Sequence, residues 1–232
     1  MLLHQRGLLH LDAPVGDLLP GFVVGRPSAE RAHHVRLSHL LAHSSGLPGY
    51  VELFRTAHTP AALFRACLRL PLEADPGTCA EYSDTGFIVL GKALEMIARE
   101  HLASWTRREI FAPLGMSATG YCPAPEKRPF ILPTEEDSIF RKRRMQGEVQ
   151  DENACVLRGA AGHAGLFSSV PDLLRFARAI LPTAAKPGNA AAQPTLFAPE
   201  TIELFARRQP PSGSSRVTAH SPATPQTSPC SP

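Results

Sequence analysis

The chain has 232 residues, 43% of them hydrophobic, which is enough for one folded domain or two small lobes. A formal net charge of +3 is too small to indicate a nucleic-acid-binding protein, and no apolar run is long enough to cross a membrane. The five cysteines include no C-x-x-C pair, which argues against a zinc site or a redox motif. The charged N-terminus does not resemble a signal peptide.

Hydrophobic periodicity in the first hundred residues predicts mainly helices. Residues 1–7 have the pattern of a helix end, with Gly7 free to adopt the left-handed conformation that closes one. Residues 36–43 and about 60–69 predict two amphipathic helices. The strongest pattern lies in residues 87–100, where apolar side chains recur every three or four positions. These are Phe87, Leu90, Leu94 and Ile97.

The second half of the chain mixes helical and irregular patterns. Residues 105–116 predict a further helix, whereas residues 121–152 are polar and without a clear period, so we expect a long irregular segment there. Within it, the basic run Arg141–Arg144 is expected on a solvated loop rather than at a phosphate or nucleic-acid site. Residues 159–170 predict a strand flanked by glycines, and Pro171 has a position typical of the first turn of a helix.

The last part of the chain differs in composition. Residues 209–232 contain six prolines and six serines with hardly any apolar side chain. Such a segment buries too little apolar surface to offset the entropy cost of ordering it. We therefore expect one domain over residues 1–208, followed by a disordered tail over residues 209–232.

The tripeptide Tyr82-Ser83-Asp84 lies between a proline-glycine turn and the strongest predicted helix. A tyrosine held there acts as a general base if nearby cations lower its pKa from about 10. Asp84 could then anchor a cation or a substrate amide. The simpler alternative is that Ser83 or Asp84 caps the helix. The residues alone leave both interpretations open.

Several histidines are candidates for chemistry. His163, in the sequence GHAG, lies where a ligand or another strand could approach the backbone closely, although a histidine between glycines is more often structural. His39 and His43 have a spacing found in zinc sites, but no glutamate lies between them and no third ligand is evident. Pairing of His43 with Ser45 as base and nucleophile is disfavoured because G-x-S-x-G is absent.

Five stretches of the sequence, in this order, resemble the serine β-lactamase-related family, which includes penicillin-binding proteins, class C β-lactamases and many esterases. They are GLLHLDAPVGDLLPGF, VRLSHLLAHSSGLPGY, PGTCAEYSDTGFIVLGKALEMIA, IFAPLGMSATGY and GEVQDENACVLRGAAGHAGLFSSVPDLLRFARAIL. The third stretch matches the Tyr-x-Asn motif of the family, and the resemblance covers about residues 1–208. Relatives in one branch often carry histidine where this chain has Gln150.

The resemblance implies an α+β fold of the β-lactamase/transpeptidase type, with the helical lobe largely present and the antiparallel sheet incomplete. It implies acyl-enzyme hydrolysis of a small-molecule ester or amide, in which the serine of an S-x-x-K motif attacks and a lysine and a tyrosine move the protons. Tyr82 and Asp84 are then the expected catalytic residues, and Ser83 is an expected substrate-binding residue. No metal and no organic cofactor is implied. Because Asp84 replaces the usual asparagine, we expect esterase-like or peptidase-like chemistry rather than a true β-lactamase.

The nucleophile motif of the family is missing from this sequence. No serine precedes a lysine by three positions, where the chain has Val89, Ala124, Ile139 and Thr183. K-T-G is absent, and the H-x-G of residues 163–165 precedes the place of the third motif. We expect a chain truncated at its N-terminus and lacking its C-terminal strands, inactive and marginally stable. The alternatives are a non-catalytic binding or regulatory relative and a truncated gene product. Compartment and oligomeric state are not indicated, although relatives are often exported.

Overall fold

A computed structural model describes residues 1–181 and 196–209, together with the backbone of residues 217–218. The α-helices of these ranges are α1 (Leu2–Gln5), α2 (Val15–Leu18), α3 (Ala29–Ala32), α4 (Leu37–Leu41), α5 (Pro60–Leu68), α6 (Asp84–Ala98), α7 (Leu102–Thr106), α8 (Glu152–Val156), α9 (Val170–Ile180) and α10 (Pro199–Ala206). Short 3₁₀ turns occur at Pro20–Phe22, Leu53–Arg55 and Pro125–Phe130, and a π-helical turn at Arg107–Phe111 follows α7. Within the described ranges, no helix combines the length and hydropathy needed to span a membrane.

The hydrophobic core lies in the first hundred residues, where α2, α4 and α5 pack on α6. Leu37 and Leu40 of α4 are buried there, as are Leu63 of α5 and Val89 of α6. Full burial of one such side chain contributes roughly 1.5–3 kcal/mol. These four residues therefore hold α6, the longest described helix, in a fixed position.

The helix α6 is enclosed more completely than its periodicity predicts. Residues Ile88–Gly91 are all buried although they point in successive directions around the helix. Of the predicted apolar face, Leu90 is buried and the other three members are partly buried. The first half of α6 is thus covered on all sides, whereas Met96 near its C-terminus is 53% exposed. The N-terminal end of the helix is the well-fixed end.

The strands form three separate pairs rather than one sheet. In the described residues, β1 (Ala80–Glu81) pairs in parallel with β6 (Val217–Thr218), while β2 (Gly120–Tyr121) pairs antiparallel with β5 (Leu166–Phe167). The longest pair is the antiparallel hairpin of β3 (Pro133–Asp137) and β4 (Arg143–Gln146). The architecture is a mixture of helices and short strands with incomplete antiparallel sheets, as the sequence predicts.

The expectation of an irregular segment over residues 121–152 is wrong. It contains the hairpin β3–β4, whose strands carry mostly polar side chains, so no alternation of apolar residues marks them. In the basic run, Lys142, Arg143 and Arg144 are exposed, as predicted. Arg141 is the exception: its side chain is 9% exposed, and its Nε donates a hydrogen bond of 2.6 Å to Asp137. This pair closes the turn of the hairpin from the inside.

Two further expectations need correction. The strand expected over residues 159–170 is limited to Leu166–Phe167, because Gly159 and Gly165 have φ angles of 79° and 112°, which an extended strand does not allow. The helix expected over residues 105–116 changes to a π-helical turn after Thr106. The predicted disordered tail lies, apart from residues 209 and 217–218, outside the described residues.

Candidate functional site

The N-terminus of α6 presents Tyr82 to solvent. The Ser83 Oγ caps the helix by accepting a hydrogen bond of 2.9 Å from the Gly86 N–H, and it donates one of 2.8 Å to the carbonyl of Pro48. Thr85 donates to the same carbonyl at 2.6 Å. Both hydroxyl residues are buried, whereas Tyr82 is 66% exposed. The tyrosine therefore projects from a firmly anchored backbone.

These bonds decide between the two roles considered for Ser83. The residue is 1% exposed, its oxygen accepts from the Gly86 N–H, and its one proton is donated to the Pro48 carbonyl. It is therefore hidden from solvent and has no donor left for a substrate. The observed role is the N-cap.

His43 packs beside Tyr82 and holds the adjacent backbone. The two other roles considered for it were zinc ligand and partner of Ser45. It ends α4 with a φ of 54°, and its Nδ1 accepts a hydrogen bond of 3.0 Å from the Ser83 N–H. Its ring lies 4.6 Å from the Phe87 ring and 4.7 Å from the Tyr82 ring. Burial lowers the pKa of His43, and the charge of Asp84 partly opposes this shift. A neutral ring with an acceptor Nδ1 agrees with this geometry.

The electrostatic surroundings of Tyr82 are acidic. Burial raises the pKa of Tyr82, and the charge of Asp84 raises it further. The pKa of Asp84 is itself raised, first by burial and then by the charge of Asp151. In residues 1–181 and 196–209, no lysine or arginine forms an ion pair with Asp84. The described residues thus do not supply the cation that a tyrosine base requires.

Asp151 and His163 form a buried pair that the sequence did not reveal. The Asp151 Oδ1 accepts hydrogen bonds of 2.6 Å from the Ala154 N–H, as the N-cap of α8, and of 2.8 Å from the His163 Nε2. Burial would raise the pKa of Asp151, but the bonds from His163 and Ala154 outweigh it, and the pKa is lowered. The sequence indicated His163 as a candidate but gave no sign of its partner, because Asp151 lies in the segment that was predicted to be irregular.

The residues after Asp151 tie α8 to the loop that follows Gly49. The Asn153 side chain is fully buried, accepts a hydrogen bond of 3.0 Å from the Phe54 N–H and donates one of 2.9 Å to the Val51 carbonyl. The Glu152 carboxylate lies 3.4 Å from the Tyr50 hydroxyl. Three consecutive polar residues therefore each have a defined contact near the candidate site.

An open cleft of about 1810 Å³ begins beside this pair. Tyr50, Asp151 and Glu152 line one end, and the wall continues along Phe111 and Phe130. Tyr82 and Asp84 do not line the cleft. We therefore place the candidate site at the junction of the two regions, with Asp151 common to both.

The histidines considered for zinc are engaged with the backbone. The His39 Nδ1 accepts a hydrogen bond of 3.2 Å from the Arg36 N–H, and His43 is held as described above. Among the residues whose placement is described, no three side chains of the metal-binding types come together. The cysteines of these residues, Cys67, Cys79, Cys122 and Cys155, are free thiols.

Comparison with known proteins gives consistent matches along the chain. A family model described as Beta-lactamase matches residues 1–220. A protein of Escherichia coli strain K12, whose name provisionally assigns it as a D-alanyl-D-alanine carboxypeptidase, is 29% identical over 225 residues, covering 88% of this chain and 50% of that protein. The N-acetylmuramyl-L-alanine amidase of Bacillus subtilis is 29% identical over 223 residues, covering 87% and 49%.

A solved structure agrees with these matches. The β-lactamase/D-alanine carboxypeptidase of Yersinia pestis, complexed with citrate, superposes with a TM-score of 0.59 at 26% identity, covering 77% of this chain and 48% of that one. The fold expected from the sequence is thereby confirmed. The chain spans about half the length of the curated relatives it matches.

Proposed function

This chain belongs to the β-lactamase family, and on that premise we propose that it carries the tyrosine-bearing wall of a serine acyl-hydrolase site. The observation that supports the proposal is the presentation of Tyr82, which is exposed next to the buried Ser83 and whose ring lies 4.7 Å from the His43 ring. The proposed substrate is a small ester or amide. The named activities of the relatives, a carboxypeptidase, an amidase and a β-lactamase, are all acyl transfers from such groups.

Within this site we propose Tyr82 and Asp84 as the catalytic residues. An aspartate in the third position of the motif accepts hydrogen bonds but donates none when ionised. It therefore pairs poorly with a carbonyl oxygen of a substrate side-chain amide and better with an N–H or a cation. This favours an esterase-like or peptidase-like substrate over a β-lactam.

We further propose that the 232 residues alone do not turn over substrate. They contain no S-x-x-K sequence, and loss of the serine nucleophile of a hydrolase typically costs on the order of 10⁶ in turnover. Burial and the charge of Asp84 raise the pKa of Tyr82, which is opposite to the shift that a tyrosine base needs.

Labelling with an active-site serine probe tests this proposal. The purified 232-residue protein is incubated with a fluorophosphonate and with a fluorescent penicillin, beside a serine β-lactamase of known activity. We expect no stable adduct on this chain and strong labelling of the control. A defined serine that is labelled in the folded protein, but not after heat denaturation, would refute the claim that the nucleophile is missing.

A non-catalytic binding function is the second candidate, and the open cleft beside Asp151 favours it. The probe is D-alanyl-D-alanine, whose chemistry follows from the name of the Escherichia coli relative. Binding is followed by NMR shifts in the wild type and in Tyr50→Phe, since Tyr50 lines the cleft. Saturable binding that weakens in Tyr50→Phe supports a binder, whereas absence of binding at millimolar peptide contradicts it.

A further inference from the structure

We propose that Asp151 and His163 are a positioning pair that sets the surroundings of Asp84 at the start of α6. Neither residue belongs to the Tyr-Ser-Asp motif. The pair links the N-terminus of α8 to the turn before β5, and that turn packs directly on α6. The inference rests on the proposed function only in taking Tyr82 and Asp84 as the site.

The pair is more than the cap of a short helix. Asp151 already caps α8 through the Ala154 N–H, and this bond does not require a histidine. The His163 side chain is only 2% exposed, and among the described residues its Nδ1 is the one buried side-chain polar atom without a partner. Burial of an unpaired polar nitrogen costs about 1–3 kcal/mol. An apolar side chain would avoid that cost, so a purely structural role does not account for the imidazole.

The backbone around His163 is packed directly on α6. A Cβ atom on Gly91 of α6 would lie 2.8 Å from the Cα of Gly162, and a Cβ on Gly162 would overlap the Phe87 carbonyl oxygen. No side chain therefore separates the two segments. This contact fixes the distance between the backbone next to His163 and the first two turns of α6. Asp84 is the first residue of that helix.

Asp84 responds to both members of the pair. Burial raises the pKa of Asp84, and among the charged groups His163 has the largest influence, which lowers it. Asp151 raises this pKa, while Tyr82 and His43 lower it. The four groups come from four places in the chain: the end of α4, the start of α6, the start of α8 and the turn before β5. Removal of the imidazole therefore alters the carboxylate that faces Tyr82.

The hairpin β3–β4 fixes Asp151 from the other side. The Arg141 guanidinium donates a hydrogen bond of 2.6 Å to the Val149 carbonyl and a further one to the Gln150 carbonyl. These two carbonyls directly precede Asp151. The backbone that carries Asp151 is thus anchored before it reaches His163, as expected of a positioning residue.

Titration of Asp84 tests the inference. The aspartate carboxyl carbons of the 232-residue chain are labelled with ¹³C, and Asp84 is assigned by its loss in Asp84→Asn. His163→Gln keeps an amide N–H for Asp151 and removes the imidazole. We expect the Asp84 midpoint to move to higher pH, because the group that most lowers its pKa is lost. The same change in an Asp151→Ser background, where the shorter side chain caps α8 but cannot hold the ring, should give a smaller shift.

The controls separate positioning from general loss of structure. Asp172→Asn removes another buried, hydrogen-bonded carboxylate, remote from Tyr82, and should leave the Asp84 titration unchanged. Equal shifts from His163→Gln in the two backgrounds, or no shift in either, would overturn the inference. None of these titrations requires hydrolysis. The inference about the positioning pair can therefore be refuted without refuting the proposed function, and the reverse also holds.

A measurement on the unaltered chain covers the case in which His163→Gln does not fold. The ¹⁵N signals of the His163 ring and the ¹³C signal of Asp84 are followed in one pH titration. Coupled groups titrate together, so the Asp84 curve should show a second inflection at the pH where the imidazole titrates. A single smooth step at Asp84 would overturn the inference.

Discussion

The negative charge of Asp84 disfavours ionisation of the Tyr82 phenol. This coupling can be measured. Because Asp84 raises the pKa of Tyr82, Asp84→Asn is expected to lower it. The chain has three tyrosines, so ¹³C labelling of the ring Cζ gives three resonances, with Tyr82 assigned by Tyr82→Phe. Tyr121 is an internal control, since burial alone raises its pKa. An unchanged Tyr82 titration, or an equal change at Tyr121, would contradict the assignment of a Tyr82–Asp84 pair.

Ser83 anchors the same segment, and its contribution is to stability. Ser83→Ala removes the cap of α6 and leaves the buried Gly86 N–H without its acceptor, so we expect a loss of about 1–3 kcal/mol in the free energy of unfolding. Ser169 is the matched control, because it occupies the N-cap of α9 without a side-chain cap bond. Urea unfolding of the two alanine variants should therefore differ clearly. Equal stabilities of the two variants would mean that the Ser83 cap does not stabilise the segment that carries Tyr82.

At the scale of secondary-structure elements, α6 and the turn before β5 are in direct backbone contact. Gly162→Ala would drive a methyl group into the Phe87 carbonyl, and overpacking of this kind costs about 1–3 kcal/mol. Gly120→Ala is the control, since nothing lies within 4 Å of its Cβ position. Thermal unfolding should show a lower midpoint for Gly162→Ala only. A stable Gly162→Ala protein with an unshifted Asp84 titration would indicate a looser contact than the structure has.

The sequence predicted the elements that bury one apolar face and missed those held by polar contacts. Helices α4, α5 and α6 were predicted because leucines at helical spacing reach the core. The hairpin β3–β4 was missed because its turn depends on the Arg141–Asp137 pair rather than on an apolar face. At the site, the position of the Tyr82 motif directly before a helix was predicted from the sequence, whereas the exposure of Tyr82 was not. The Asp151–His163 pair was not, because its partners meet only in the tertiary structure.

For the molecule as a whole, helix α9 leaves an apolar face uncovered by the described residues. It is attached through Asp172, which is buried and accepts hydrogen bonds from Thr119 and the Ala118 N–H. On the other side Leu173 and Leu174 are 54% and 53% exposed. Adjacent apolar side chains exposed in this way promote association and bind hydrophobic dyes. We therefore expect the 232-residue protein to bind the dye ANS and to self-associate as its concentration rises.

Replacement of both leucines tests this expectation. Leu173→Gln with Leu174→Gln should reduce the ANS fluorescence and shift the sedimentation profile toward the monomer, without lowering the midpoint of thermal unfolding, because neither side chain is buried. Leu8→Gln changes a leucine that is exposed to a similar degree, 58%, outside α9 and should alter neither property. Weak dye binding by the wild type would mean that the face of α9 is covered in solution. Strong binding that survives the double substitution would place the exposed apolar surface elsewhere in the molecule.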